Sequence, residues 1–533
     1  MKITSDLFNR DDKASIIETS LVLLLTACVA AFFFYTIWRC AVNIPFTDDY
    51  TEILMPLNIF ASPDGSPEKW TAFFSSPGYS KALFMRGVTL VSFLLLGSVD
   101  FKLLILIGNL GLIGLLIVLY KASSPQRPLF ILPVIFLLLQ WQYWEASLEA
   151  TLALSVPMAL FFSFLSMLLL RKDTNGGLAA SVIFAVLATF SFGNGFLIFP
   201  VAILLLMQLR RFRDAAAMLA AFVLSMAAFL YGHSPQTTDK GLWILFTMPG
   251  KTLDWFLTFL GSSIGYANDY GYAPSALPHA ASLFVGSLIL GFYIYLTLLK
   301  YYKRNPTLYA WYSFMLLTAL VAVRCRLFDE VPTASRYQIQ SIILVIITYL
   351  AVMDLLNDRC RKIIFPVVLL ASVCFFFSSY FTCFPTTCLH KNRLIFGMSN
   401  WLTSGSGLIS CGPDQNLPNT VLLNAAKAGI YCIPDADYIA KELIIVPGSY
   451  NSYYQRGMLH GRARNYTQAI TDLSTAISNS PSFVAAYDGR MRIYHAMGDY
   501  DRSWSDANTL IKSGNEIDAG FLKILKAKSA EKK

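Results

Sequence analysis

Asp48 and Asp49 stand side by side shortly after a long apolar run, in the stretch Pro45-Phe46-Thr47-Asp48-Asp49-Tyr50. Adjacent carboxylates with almost nothing basic beside them are a poor anchor and a costly neighbour for a bilayer, so they call for a chemical use. A carboxylate can take the proton from an incoming hydroxyl, and a guanidinium can grip a phosphate as it leaves. Cationic groups for the second role flank other apolar runs: Lys81 and Arg86 where the second begins, and Arg324, Arg326 and Arg336, with Asp329 and Glu330, around one late loop. Together they would suit glycosyl transfer at a membrane surface. Plainer readings stand beside this one: Arg86 snorkels, Arg324 and Arg326 pair with Asp329 and Glu330, and Asp48 caps a short helix beginning at Asp49.

The elements that must position these residues are apolar helices. Of 533 residues 55% are hydrophobic and only 14% charged, against about a quarter charged in a soluble domain. This predicts an all-α, polytopic membrane bundle. The net charge of +9 lies in short basic clusters between apolar runs, which fits orientation of helices and not nucleic-acid binding. The first run, Ser15 to Trp38, is too long for a signal-peptide core and no cleavage site follows it. Further runs are Leu83 to Val99, Phe101 to Tyr120, Pro128 to Tyr143, Thr151 to Leu170, Leu178 to Phe192, Phe196 to Leu209, Ala215 to Tyr231, Leu283 to Leu299, Leu308 to Val323, Ile339 to Leu356 and Ile363 to Tyr380, with a weaker one from Thr252 to Ala267. The expected total is about 12 or 13 crossings.

Basic clusters at Arg171-Lys172, Arg210 to Arg213, Lys300 to Arg304 and Arg359 to Lys362 mark cytoplasmic loops and place the chain after Tyr380 outside. One conflict remains. With the N-terminus inside, counting helices puts Lys121 and Arg127 outside, so one crossing is miscounted; the polar, aromatic stretch Gln140 to Glu145 is the suspect.

Four of the nine cysteines, Cys383, Cys388, Cys411 and Cys432, fall in the exported part, which predicts two disulfides, with a zinc site including His390 as the rival. A repeat follows: Tyr453 and Tyr487, Tyr466 and Tyr500, and Asp472 and Asp506 are each 34 positions apart, with Gly457, Ala469, Ala476 and Pro481 in small-residue and helix-ending slots. That is the tetratricopeptide period, with helices expected at Thr420 to Ala428 before it and Asp518 to Ser529 after it. The domains are then 1–382, a membrane domain with an outer loop over 39–82; 383–449, a disulfide-containing connector; and 450–533, tetratricopeptide-like repeats with a capping helix that serve as a spacer or bind a protein partner. No Walker loop, dinucleotide fingerprint, His-Glu-x-x-His or Gly-x-Ser-x-Gly occurs. Asp435-Ala436-Asp437 reads as loop.

The stretch Pro45 to Tyr50 after the first membrane run, Phe192-Gly193-Asn194-Gly195 with Pro200 beyond, and Ala334-Ser335-Arg336-Tyr337 opening a late helix make residues 15–380 similar to the GT-C superfamily of membrane glycosyltransferases. The nearer likeness is to bacterial members that serve O-antigen and other surface glycans, including serotype-converting glucosyltransferases. The resemblance implies a bacterial inner-membrane enzyme with a cytoplasmic N-terminus and a periplasmic tail, using a polyprenyl-phosphate-linked sugar as donor and a glycan as acceptor. It implies Asp48 or Asp49 as general base, Arg336 at the donor phosphate with Arg86 and Lys81 as helpers, inversion at the sugar carbon, and Tyr50, Tyr79, Asn194, Tyr337 and Glu330 lining the substrate. A divalent metal at one aspartate is left open, with no second ligand cluster in view. Ser80-Lys81 stands where many such proteins carry a His-Arg pair, a departure that bears on acceptor binding. Gly193-Asn194-Gly195 also reads as a tight turn between two short helices. The runner-up functions are a transporter or flippase of lipid-linked saccharide and a non-catalytic assembly factor.

Overall fold

The computed structural model describes residues 2–62, 68–74, 81–123, 127–231, 243–265, 276–327, 331–409, 416–445 and 449–530. Every regular element among the described residues is helical. The chain packs as two units, residues 1–41, 45–387 and 420–431 in one and 42–44, 388–419 and 432–533 in the other. The expected connector over 383–449 is thus shared between them.

In the first unit α1 (Lys2–Cys40) is followed by a π-helix over Asp49–Leu54, then α2 (Met55–Ala61), α3 (Glu68–Phe74), α4 (Leu83–Leu96) and α5 (Phe101–Ser123). The start of α5 lies beside the end of α1, with Lys102 Nζ 4.1 Å from the Trp38 ring. Past the far end of α5, Arg127 approaches Glu18, early in α1, at 4.0 Å. The two helices are antiparallel neighbours, so all the chain between them starts and finishes at one end of the bundle. The 14-residue α4, about 21 Å long, therefore does not cross. Without Leu83 to Val99 among the crossing runs, Lys121 and Arg127 fall at the basic end.

The suspected stretch does traverse the bundle from one end to the other, as a broken crossing. α6 (Leu132–Leu138) and α7 (Trp144–Leu148) are separated by irregular backbone through Gln140–Tyr143. α8 (Ala150–Leu170) then runs parallel to α5, since a Cβ on Gly108 would meet the Ala153 backbone at 2.3 Å, one on Gly111 Pro157 at 2.9 Å and one on Gly114 Phe161 at 2.7 Å. Parallel neighbours need a return path, and residues 128–148 supply it in broken form. The irregular backbone of Gln140–Tyr143 is buried in protein, the condition under which such backbone is tolerated away from water.

α9 (Asn175–Thr189) and α10 (Ile198–Gln208) form a hairpin around Phe192-Gly193-Asn194-Gly195, as the turn reading expects. Glycine is required at 195, where a Cβ would sit 1.9 Å from the Ala188 carbonyl oxygen. The hairpin returns to the end it left, because Arg211 donates to the Leu170 carbonyl at 2.7 Å and pairs with Asp173 at 3.0 Å. α11 (Phe212–Leu230) leads away from there. The weak run Thr252 to Ala267 resolves, after α12 (Ile244–Thr247), into the 12-residue α13 (Pro249–Leu260) and a turn over Ser262–Ile264, too short to cross. α14 (Ala276–Leu298), α15 (Pro306–Arg326), α16 (Ser335–Leu355) and the first part of α17 (Asp358–Ser404) complete the unit.

Among the described residues eight helices are long and apolar enough to cross a membrane. They stand against the expected 12 or 13. Leu24, Leu224, Leu298 and Val367 are each more than 60% exposed on their outward faces, as helices solvated by hydrocarbon require.

α18 (Leu417–Lys427) covers the helix expected at Thr420 to Ala428, but residues 420–431 pack in the first unit, through Asn58 Nδ2 on the Val421 carbonyl at 2.9 Å and Val99 N on that of Ile430 at 2.7 Å. In the second unit Asp435 caps α19 (Ala436–Glu442), giving its side chain to Tyr438 N at 2.7 Å. Five helices follow: α20 (Tyr450–Arg462), α21 (Tyr466–Asn479), α22 (Val484–Ala496), α23 (Tyr500–Lys512) and α24 (Ala519–Ala530). Arg456 grips Asp472 with two bonds of 2.7 Å, and Arg490 grips Asp506 at 2.9 and 2.8 Å. Ala469, Leu473, Ala476, Ala486 and Ile493 form one core; Met491, Ala507, Leu510 and Leu525 form the next.

The two expected disulfides are not formed among the described residues. Cys383 and Cys388 lie five positions apart on α17, about 8.6 Å between Cα atoms on ideal helix geometry and beyond bridging distance. Cys432 carries an exposed thiol, and Cys411 lies outside the described residues.

Candidate functional site

The two aspartates have separate roles. Thr47 adopts a left-handed φ of 41°, a costly conformation for a β-branched residue, and the chain turns there into the π-helix. Asp49 is 2% exposed. Its Oδ2 accepts from Phe46 N at 3.0 Å, and its Oδ1 from Thr151 N at 3.0 Å and Thr151 Oγ1 at 2.6 Å. Thr151 lies in the first turn of α8, whose cap position, Glu149, makes no side-chain capping bond. Asp49 is therefore a cap supplied from a distant segment, its lone pairs spent on the protein. Burial pushes it up to about 6, against the donors Thr151 and Phe46 that hold it down. Asp48 is exposed. Surrounding protein raises its pKa above the ordinary aspartate value, while the charges of Arg326 and Arg336 pull it back. Asp48 is the carboxylate an incoming hydroxyl can reach.

Arg336 lies in the first turn of α16 and is partly exposed, its guanidinium 5.6 Å from the Tyr337 ring. The broken crossing holds this turn: Glu145 Oε2 accepts from Arg336 N at 3.1 Å, and Ser335 Oγ donates to the Gln142 carbonyl at 2.9 Å. Glu149 is almost buried; desolvation, then the charges of Glu145 and Asp49, drive its pKa well up, Arg336 opposing and Asp48 adding. Glu145 and Glu149 have no role in the sequence reading of this site, which does include Arg326. The polar break at Gln140 to Glu145 is the one signal that could point to the first of them.

The other expected cations are already engaged. Arg86, 3% exposed, pairs with Glu52 at 2.9 Å and donates to the Phe73 carbonyl at 2.7 Å. Lys81 is buried on the last carbonyls of α11, Ala228 at 2.9 Å and Tyr231. Both are spent on packing. Tyr50 is 1% exposed and belongs to the core, so it lines no open site. Asn194 donates to Thr318 Oγ1 at 3.4 Å, at the tip of the α9–α10 hairpin. Tyr337 packs on Phe259 at 5.7 Å and Trp255 at 6.4 Å. Tyr79 and Glu330 lie outside the described residues. Among the described residues no three His, Cys, Asp or Glu side chains gather to hold a metal ion.

Asp48, Arg326 and Arg336 share the end of the bundle where α1 finishes and α5, α8 and α16 begin. Arg171, Arg211, Arg304 and Arg361 mark the other, through Arg211 on the Leu170 carbonyl, Arg304 on Asp354 at 3.0 Å and Arg361 on the Met353 carbonyl at 2.7 Å. No family model matches this chain, and neither a curated protein nor a solved structure does.

Proposed function

We propose that the Asp48 end of the bundle transfers a sugar, glucose being one candidate, from a polyprenyl-phosphate carrier to a hydroxyl of a surface glycan such as O-antigen. One observation carries this reading: an accessible carboxylate, Asp48, held under the charges of Arg326 and Arg336 at the bundle end away from the basic clusters. Asp48 takes the proton of the acceptor hydroxyl as its oxygen attacks carbon one of the sugar. The bond from that carbon to the phosphate oxygen breaks on the opposite face, and its electron pair leaves with a phosphate stabilised by Arg336 and Arg326. Inversion follows. Phosphate leaves without the second, protonating carboxyl that glycoside hydrolysis needs.

In this reading the basic end is cytoplasmic and the Asp48 end faces the periplasm of a bacterial inner membrane. The tail is a periplasmic tetratricopeptide-like module that presents a surface to a protein partner; its 34-residue period and the repeated Arg-Asp pairs support this.

The test is transfer of labelled glucose from polyprenyl-phosphate-glucose to O-antigen by the purified protein. Asp48→Asn should lower it by roughly 10²–10⁴-fold without loss of fold, and wild-type turnover by Asp48→Asn would remove the assignment. The base must be ionised, and its folded pKa lies above 3.8. Wild-type transfer should therefore fall on acidification through a midpoint above 3.8 and recover as pH rises. The broken crossing favours a second reading, a transporter of lipid-linked saccharide, because discontinuous helices line such sites. Lipid movement without transfer would select it.

A further inference from the structure

We propose that Glu145 is a positioning residue that sets Arg336 against the donor phosphate, and that the break between α6 and α7 exists to deliver it. This rests on the reading of Arg336 as the phosphate holder. α16 has no cap of its own, since its cap position is Ala334, and an uncapped helix start leaves its first N–H groups without partners. Glu145 Oε2 accepts the Arg336 N–H at 3.1 Å, while Glu145 N donates to Ser335 Oγ at 3.3 Å. Two bonds running in opposite directions make a capping box whose carboxylate comes from 191 positions away.

The frame behind Glu145 is fixed. Trp141 N donates to Ser379 Oγ at 3.0 Å, and Gln142 Nε2 donates to the carbonyls of Ser263 at 3.0 Å and Gly265 at 2.9 Å. The segment is thereby tied to α17 and to the turn after α13, while Ser335 Oγ ties it to α16 at 2.9 Å. A continuous helix over 139–143 would turn the Trp141 N–H and the Gln142 carbonyl along its own axis and take them from Ser379 and Ser335. The Arg336 guanidinium thus extends from a backbone atom that Glu145 holds, and a displacement of about 1 Å at such a point is enough to lose much of a charge-assisted contact.

The test is binding of undecaprenyl phosphate to the full-length protein in nanodiscs, read by native mass spectrometry. Arg336→Ala should weaken binding by roughly tenfold or more, and Glu145→Ala by about three- to tenfold. Glu145→Gln, which keeps an acceptor oxygen in place, should bind nearly as wild type; Glu145→Asp, which lacks the reach, should resemble alanine. The double variant Glu145→Ala with Arg336→Ala should bind no more weakly than Arg336→Ala alone. Additive losses, or a glutamine variant as weak as alanine, would overturn the positioning role and leave the Arg336 reading standing. Normal binding by Arg336→Ala would overturn both.

Discussion

The two ends of the helical bundle solve the same electrostatic problem with opposite means. At the Arg211 end cations meet helix carbonyls and near neighbours in sequence: Arg211 with Asp214 at 2.6 Å and Arg361 with Asp358 at 3.0 Å, each three positions apart, plus the carbonyls of Leu170 and Met353. At the Asp48 end carboxylates meet helix N-termini from far away, Asp49 reaching Thr151 over 102 positions and Glu145 reaching Arg336 over 191. Both arrangements match charge to the helix dipole. The first set combines pairs three positions apart with reaches of 41 and 50 positions, Arg211 to the Leu170 carbonyl and Arg304 to Asp354. The remote set needs the whole bundle assembled, and it brings Asp48 under the charges of Arg326 and Arg336.

That contrast can be broken by stability measurements on purified protein unfolded in detergent. Arg86→Ala should show the largest effect, about 3–5 kcal/mol, because it leaves Glu52, 16% exposed, beside an emptied buried site. Asp49→Ala comes next at about 2–4 kcal/mol, since it strands the N–H groups of Phe46 and Thr151 together with the Thr151 hydroxyl. Arg211→Ala should cost about 1 kcal/mol or less, as its partner Asp173 is 80% exposed and water can donate to the Leu170 carbonyl in its place. If Arg211→Ala proved as costly as Asp49→Ala, the distinction between local and remote charge use would fail. A loss of stability in Asp48→Asn matching that of Asp49→Ala would equally erase the separation of the two aspartates.

Much of the scaffold could be read from residue order. The long runs at Phe101 to Tyr120, Thr151 to Leu170 and Ile339 to Leu356 became α5, α8 and α16, because a twenty-residue apolar segment has few other stable forms in lipid. The turn at Gly193-Asn194-Gly195 and the last helix, expected at Asp518 to Ser529 and found at Ala519–Ala530, were equally clear. Hydropathy could not separate α4 from a crossing helix. Leu83 to Val99 is as apolar as a crossing run, and the approaches of Lys102 to Trp38 and of Arg127 to Glu18 show that the chain between α1 and α5 starts and ends at one side. Residue type alone does not sort the candidates: Asp48 is exposed and Arg336 partly so, whereas Arg86, Lys81, Tyr50 and Asp49 are buried, and Asp49 caps α8.

Sequence alone determined that this chain is a bundle of apolar helices, where most of them lie, and that its charges cluster by sign, since these follow from local composition and the free energy of placing side chains in lipid. Which carboxylate stays open and which is consumed was decided only by tertiary structure. Asp48 and Asp49 are chemically identical neighbours, and what distinguishes them is the first turn of α8, about a hundred residues away, whose N–H groups can be capped by just one of them.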